Sequence, residues 1–385
     1  MDSKRLFFLD NLKAFIVNLM IVFHIALCYM DYAPEWWYVV DYEHTNLFFT
    51  GVVVWADMFI MPIMFFVSGY FAIMSLKRHG DAKWWKGRWF RIGLPWILGV
   101  ALLAAPVTYL MCYTRAVPVD YSTFIWTLFL FNPETGGPGV CWSHTQYWFL
   151  GILMNLYFIL WIVSKMDKSL TTQLEKADKP GWPMLLLIFV LMLTNITAMD
   201  LYTGNDDLWT FISYFWVIQP CRILLYPLWF FIGVYAWRHK WFTADGYQPS
   251  QYKWVPAFIV TSFLYPLTVL YGWMILPDPF QFALAKALTH TMLLMASMFG
   301  LLAFFQQNLN YTNKFLGEAA ANSYTMYWIH MSLIFPIVYM MVPLDWSVWM
   351  KYPVACVLGI IACYVVSRLL LFLPFFASSK KAKAQ

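Results

Sequence analysis

Apolar residues recur along this chain in blocks of roughly 20, each long enough as a helix to cross a hydrocarbon core of about 30 Å. Hydrophobic residues make up 62% of the 385 and charged residues 12%, about half the charged share of a soluble domain. A water-soluble chain this apolar would expose patches that drive aggregation. The 22 Trp suit belts at two membrane interfaces. The expected fold is all-α: a polytopic transmembrane bundle, one domain over residues 1–376, with a short basic tail at 377–385.

Ten spans are expected, at about 12–30, 52–76, 92–112, 147–165, 182–200, 222–238, 254–275, 283–306, 322–342 and 352–376. Two further apolar stretches, 124–131 and 208–219, are short and read as re-entrant or interfacial. No small-residue cleavage site follows the first block, so its helix is expected to stay. The six cysteines show no CxxC spacing and read as small buried hydrophobes. No two of the seven histidines stand four apart or in an HExxH pattern, so no metal is expected.

Charge placement tests the ten-span reading independently. Alternate connections carry the Lys and Arg: Lys77, Arg78, Lys83, Lys86, Arg88 and Arg91 after span two, then Lys165, Lys168, Lys176 and Lys179 after span four. Lys380, Lys381 and Lys383 in the tail continue the series. On the opposite side stand Asp31, Glu35, Asp41 and Glu43, with Arg115 and Lys351 as the basic exceptions. The positive-inside rule then puts both termini in the cytoplasm. The net charge of +5 reflects this topology; no basic patch interleaves with polar surface, and no nucleic-acid partner is expected.

Polar residues inside the apolar blocks are costly unless they face the bundle interior, and so they mark function. His24 lies deep in span one. Lys13 is eleven steps earlier, almost on the same helical face and about 16 Å away along the axis. Asp10 stands three residues before Lys13, within reach of a salt pair. A neutral imidazole here can take a hydroxyl proton at neutral pH as that oxygen attacks an acyl carbonyl. The alternative is a packed histidine bonded to a neighbouring carbonyl. Span two ends in Phe65-Phe66-Val67-Ser68-Gly69-Tyr70, where small residues permit close helix approach, and Asp57 is placed to line a cavity. Arg88 and Arg91 make a phosphate-sized clamp or, more simply, an ordinary positive-inside anchor. Tyr327 and His330 enter span nine, Trp148 opens span four, and Arg222 and His290 are further buried-block polar residues.

Together these segments resemble the acyltransferase-3 family of membrane O-acyltransferases. That family's first helix carries an aspartate, then an Arg and a His with ten residues between, as Asp10, Lys13 and His24 do here. The Phe-Phe-x-x-Ser-Gly ending, an Arg-x-x-Arg-x-x-x-Pro series (Arg88, Arg91, Pro95) and Trp148-Phe149-Leu150 follow in order. Phe230-Phe231-Ile232-Gly233 and Ser323-Tyr324 with Tyr327 and His330 complete the set. Two departures stand out: Lys13 replaces the usual Arg, and Leu153 stands where many members have a glutamate. The ending of span two and the Lys-Trp-Trp-Lys run are closest to the branch of periplasmic glucan succinyltransferases.

The resemblance implies an acyl-CoA co-substrate, acetyl-CoA or succinyl-CoA, with no permanently bound cofactor, and a carbohydrate hydroxyl as acceptor in a bacterial inner membrane. His24 would be the base with Lys13 and Asp10 in support, while Arg88, Arg91 and Ser68 would meet the donor and His330, Tyr327 and Trp148 would line the acceptor pocket. Trp36, Trp37, Tyr38 and Trp142 could stack on sugar faces, although interfacial anchoring is the preferred reading. The main rival is a secondary transporter using the same intramembrane His, Lys and Asp, for which paired repeats are the missing sign.

Overall fold

The computed structural model describes residues 5–34, 36–115, 119–127, 131–132, 137–138, 144–204, 209–213, 216–373 and 376. The basic tail, Cys141 and Trp142 lie outside the described residues. The chain forms α1 (Phe7–Ala26), α2 (Leu47–Asp57), α3 (Ile60–His79), α4 (Asp81–Arg88), α5 (Leu94–Leu98), α6 (Ala105–Thr114) and α7 (Tyr121–Thr127). Then follow α8 (Trp148–Met166), α9 (Trp182–Thr203), α10 (Leu225–Arg238), α11 (Gln251–Ile275), α12 (Pro279–Asn308), α13 (Lys314–Met341) and α14 (Val348–Leu370).

Among the described residues nine helical paths are long and apolar enough to cross a membrane. Two of them join several α-helices: α2 and α3 form one path over 47–79, and α4, α5 and α6 another over 81–114. The remaining expected span, the ninth at 322–342, falls in α13, whose 28 residues reach about 42 Å; Tyr324, Tyr327 and His330 make it more polar. Helix α7 has seven residues and Thr210–Ser213 pairs with Trp216–Ile218 as a short hairpin, so neither short apolar stretch forms a crossing helix among the described residues.

The third span starts earlier than the expected residue 92. Gly80, at φ 70°, is the sole residue between α3 and α4, so Lys83, Lys86 and Arg88 sit on a helix and not in a loop. Lys and Arg are good helix formers, and charge alone does not break a helix. Trp84 anchors this turn by donating Nε1–H to the Ala72 carbonyl at 3.2 Å. Wide π turns at Trp89–Gly93 and Gly99–Ala104 flank α5, where Pro95 removes a backbone donor.

Helix α1 is the hub, packing on α2, α3, α12, α13 and α14. Asn11 locks its first turns by donating to the carbonyls of Leu309 at 2.7 Å and Tyr311 at 2.9 Å. The α3–α10 crossing is closer still. A Cβ on Gly69 would enter the Phe230 carbonyl, and one on Gly233 would enter the Phe66 carbonyl. The two glycines sit in two separate sequence patterns, and the fold makes them the two halves of one backbone contact. The five described cysteines are buried thiols, as their sequence setting implied.

Candidate active site

A cavity of about 540 Å³ opens among α1, the break between α2 and α3, the 144–148 turn, the 209–222 segment and α13. His24 lines it, half-buried on a helix whose neighbouring positions Phe23 and Ile25 are buried. Its ring lies parallel to Trp37, at 1° and 5.7 Å between centroids, and edge-on to Phe23. The ring plane is thereby fixed from two sides.

Hydrogen bonding also fixes the tautomer. Nδ1 of His24 is 2.9 Å from the Met20 carbonyl, which can only accept, so Nδ1 carries the proton. Nδ1 of His330 is 2.7 Å from the Tyr327 carbonyl and is protonated for the same reason. His330 Nε2 is then a lone pair, and it lies 3.1 Å from His24 Nδ1. The His24 N–H is shared between the Met20 carbonyl and that lone pair. Nε2 of His24 is left as the basic atom. His330 itself is fully buried and outside the cavity lining; it meets the site through His24 and Tyr327.

The other expected residues divide into two groups. Trp148 and Tyr327 line the cavity with His24. Ser68 and Arg88 gather about the Tyr157 hydroxyl further along α3 and α8, and the Arg88 guanidinium lies 4.9 Å from the Tyr157 ring and 5.3 Å from the Trp84 ring. Arg91 is exposed, and its carbonyl accepts from Tyr324 at 2.5 Å. The π turn beginning at Trp89 gives the two arginines different settings, half-buried and exposed, where three helical steps implied one face. Lys13 and Asp10 pair at 2.8 Å, as their spacing implied, and Arg5 joins them. They do not line the cavity: Lys13 sits 5.0 Å from the Phe71 ring, at the opposite end of α1 from His24. The expected catalytic stripe is thus split along the helix axis.

Further hydrogen bonds bolt α13 to the rest of the site. Besides Tyr324 to Arg91, Trp328 donates Nε1–H to the Pro95 carbonyl at 2.8 Å and Tyr327 donates to the Gln146 carbonyl at 2.6 Å. Tyr147 in turn donates to the Trp328 carbonyl at 2.6 Å, and its ring fills the space a Cβ on Gly99 would need. The sequence patterns of spans three, four and nine therefore meet in one place.

Several cavity residues carried no sequence signal. Trp209 and Gln219 come from the stretch read as interfacial. Trp36, Trp37 and Tyr38 were expected chiefly as anchors, yet all three line the cavity and Trp37 and Tyr38 are buried. The loop after α1 folds back because Asp41 N–H donates to the Cys28 carbonyl and Asn46 N–H to the Tyr29 carbonyl. Asp57 lines the cavity as its position implied; its partner, Arg222, comes from 165 residues away.

No solved structure matches the chain. Among curated proteins it is similar to glucans biosynthesis protein C of Escherichia coli K12, 29% identical over 187 residues covering 46% of this chain and 43% of that protein. It is similar also to glucans biosynthesis protein C of Salmonella schwarzengrund, 28% identical over 275 residues covering 65% of this chain and 62% of that protein. These alignments thus span from less than half to somewhat under two thirds of the relatives' length. The family model described as an acyltransferase domain matches residues 6–368, nearly the whole chain. The chain is an integral membrane protein and belongs to the acyltransferase-3 family of membrane O-acyltransferases.

Proposed function

We propose that this protein transfers an acyl group, acetyl or succinyl, from acyl-CoA in the cytoplasm to a carbohydrate hydroxyl, with His24 Nε2 as the general base. The observation that carries the reading is the fixed tautomer of His24 beside a cavity, with His330 as its partner. The acceptor O–H gives its proton to Nε2 and the oxygen attacks the thioester carbonyl. The tetrahedral adduct collapses, the C–S bond breaks, and the imidazolium returns the proton to the leaving thiolate. Charge developing on the ring is met by the Met20 carbonyl and the His330 lone pair, a neutral counterpart of the carboxylate in a Ser-His-Asp triad. A base of this kind contributes about 10²–10⁴ in rate, and positioning supplies much of the rest.

The donor enters from the opposite, basic end, where Arg88 and Ser68 meet at Tyr157, Arg91 is exposed nearby in the chain and Lys13 holds its ion pair. That end is the cytoplasmic one by the positive-inside rule, in a bacterial inner membrane with both termini inside. The similarity to two proteins named glucans biosynthesis protein C supports a glucan as the acceptor. The test is mass spectrometry of envelope glycans from cells carrying the wild type or His24→Ala. Loss of the acyl mass with a normally inserted His24→Ala protein supports the assignment; undiminished acylation refutes it.

A further inference from the structure

We propose that the Trp-lined rim of the cavity and the Asp57–Arg222 pair form an acceptor subsite for a neutral, hydroxyl-rich sugar ring. This rests on the acyl-transfer reading and adds to it the residues that hold the acceptor and their selection against charged sugars. Trp148, Trp209, Trp36 and Trp37 run in series, with successive centroids 5.3, 6.3 and 5.7 Å apart, and the series ends 5.7 Å from His24. Neighbouring tryptophans meet at 66°, 79° and 72°, edge to face, so the stack does not cover every indole face with another indole. A pyranose presents an apolar C–H face that packs on such rings, and equatorial hydroxyls that need partners at its rim.

Those partners are in place. The helical path of span two stops at Asp57 and resumes at Ile60, and the carboxylate at this break is 27% exposed in a lining that is otherwise largely apolar. Arg222, 7% exposed, binds Oδ2; among the described residues Oδ1 receives no hydrogen bond and remains an acceptor for O–H donors. Gln146 is similar: Nε2 donates to the Trp328 carbonyl at 3.1 Å, while the buried Oε1 has no partner among the described residues. Because Asp57 already neutralises Arg222, the described residues of the cavity carry no surplus positive charge to offset the desolvation of a carboxylate or phosphate on the ligand. That selects uncharged sugars.

The test titrates a neutral gluco-oligosaccharide into the purified full chain in lipid nanodiscs, without acyl donor, following tryptophan fluorescence. Saturable binding is expected, weakened about tenfold or more in Asp57→Asn, since a hydrogen bond to a charged group is lost. Trp36→Ala is expected to weaken it at least several-fold, and the same oligosaccharide bearing a carboxylate to bind about tenfold or more weakly. Asp57→Asn strands the buried Arg222 charge and is liable to misfold; Trp36, 39% exposed, then carries the test. Absent binding by the wild type, or equal binding by the variants or by the anionic probe, overturns the subsite. If the variants lose binding but the wild type makes no acylated sugar from acyl-CoA, the subsite stands and the transfer reading falls. If acylated sugar forms and both variants keep the wild-type acceptor KM, the transfer reading stands and the subsite falls.

Discussion

Replacing Gly233 by Ala puts one methyl group into the tightest contact between two helices. Its Cβ would overlap the Phe66 carbonyl oxygen and stand 2.9 Å from Tyr70 N and 3.0 Å from the Phe66 carbonyl carbon. All three are backbone atoms of α3, so no side chain can turn away and the helices must part. Overpacking of this kind costs about 1–3 kcal/mol when rotamers can adjust, and the upper end or more applies to a rigid backbone. Gly69→Ala meets the Phe230 carbonyl from the other side and is expected to cost about the same. Since one separation relieves both clashes, the double variant is expected to lose less than the two single losses combined. Gly87→Ala is the control: its Cβ meets nothing within 4 Å on a helix, and exchange of Gly for Ala there stabilises by roughly 0.5–1 kcal/mol. The assay is thermal unfolding of purified protein in detergent, read by intrinsic fluorescence. Gly233→Ala unfolding at or above the wild-type midpoint would refute the close crossing.

His24→Ala is expected to lower kcat by about 10²–10⁴ in acyl transfer to the glycan, with the unfolding midpoint retained. His330→Phe removes the lone pair beside His24 Nδ1 and is expected to lower kcat about tenfold or more with little change in acceptor KM, because His330 does not line the cavity; an unchanged kcat counts against its positioning role. Reversing charge at Arg88 and Arg91 together is expected to weaken acyl-CoA binding by about tenfold or more in equilibrium dialysis, and unaltered affinity leaves them as topology signals alone. Lys351→Met leaves the buried Asp41 with His44 as its remaining ionisable partner and is expected to cost up to about 3–5 kcal/mol in thermal unfolding, most of it recovered in the Lys351→Met, Asp41→Leu double variant.

Span detection in this chain is a local sum over about 20 residues, and the spans were accordingly legible within a few residues. Where a boundary moved, at Lys83–Arg91, charge had been read as a loop although helix propensity favoured continuation. The close-approach role of Ser68-Gly69 could be read from small residues alone. That Gly69 meets Gly233 could not, since nothing local to one pattern names the other. The His24–His330 contact joins residues 306 apart and shows the same limit. Loops were the least legible part. Trp37 is adjacent to Trp36 in an interfacial-looking sequence, and its placement on His24 depends on backbone bonds made from Asp41 and Asn46 back to the end of α1.

Lys351, one of the two basic exceptions to the charge alternation, shares a pattern with Lys286 and Arg222, two basic residues inside the apolar blocks. Lys351, fully buried, donates to Asp41 at 2.8 Å and to the Val342 carbonyl at 3.1 Å. Lys286 pairs with Asp200 at 3.1 Å, and Arg222 with Asp57. Each of these cations has a carboxylate partner from a distant segment, so its net charge within the bundle is near zero and it ceases to argue for a cytoplasmic end. By contrast Lys77, Lys83 and Lys86 at the other end are exposed. A buried ion pair contributes little to stability once desolvation is counted, so these pairs are better understood by what they join. Lys351–Asp41 ties α14 to the loop that carries Trp36 and Trp37, and Arg222–Asp57 ties the 3₁₀ turn before α10 to the helix break in the cavity wall. Two of these pairs, Lys351–Asp41 and Arg222–Asp57, thus hold the wall of the site that faces His24.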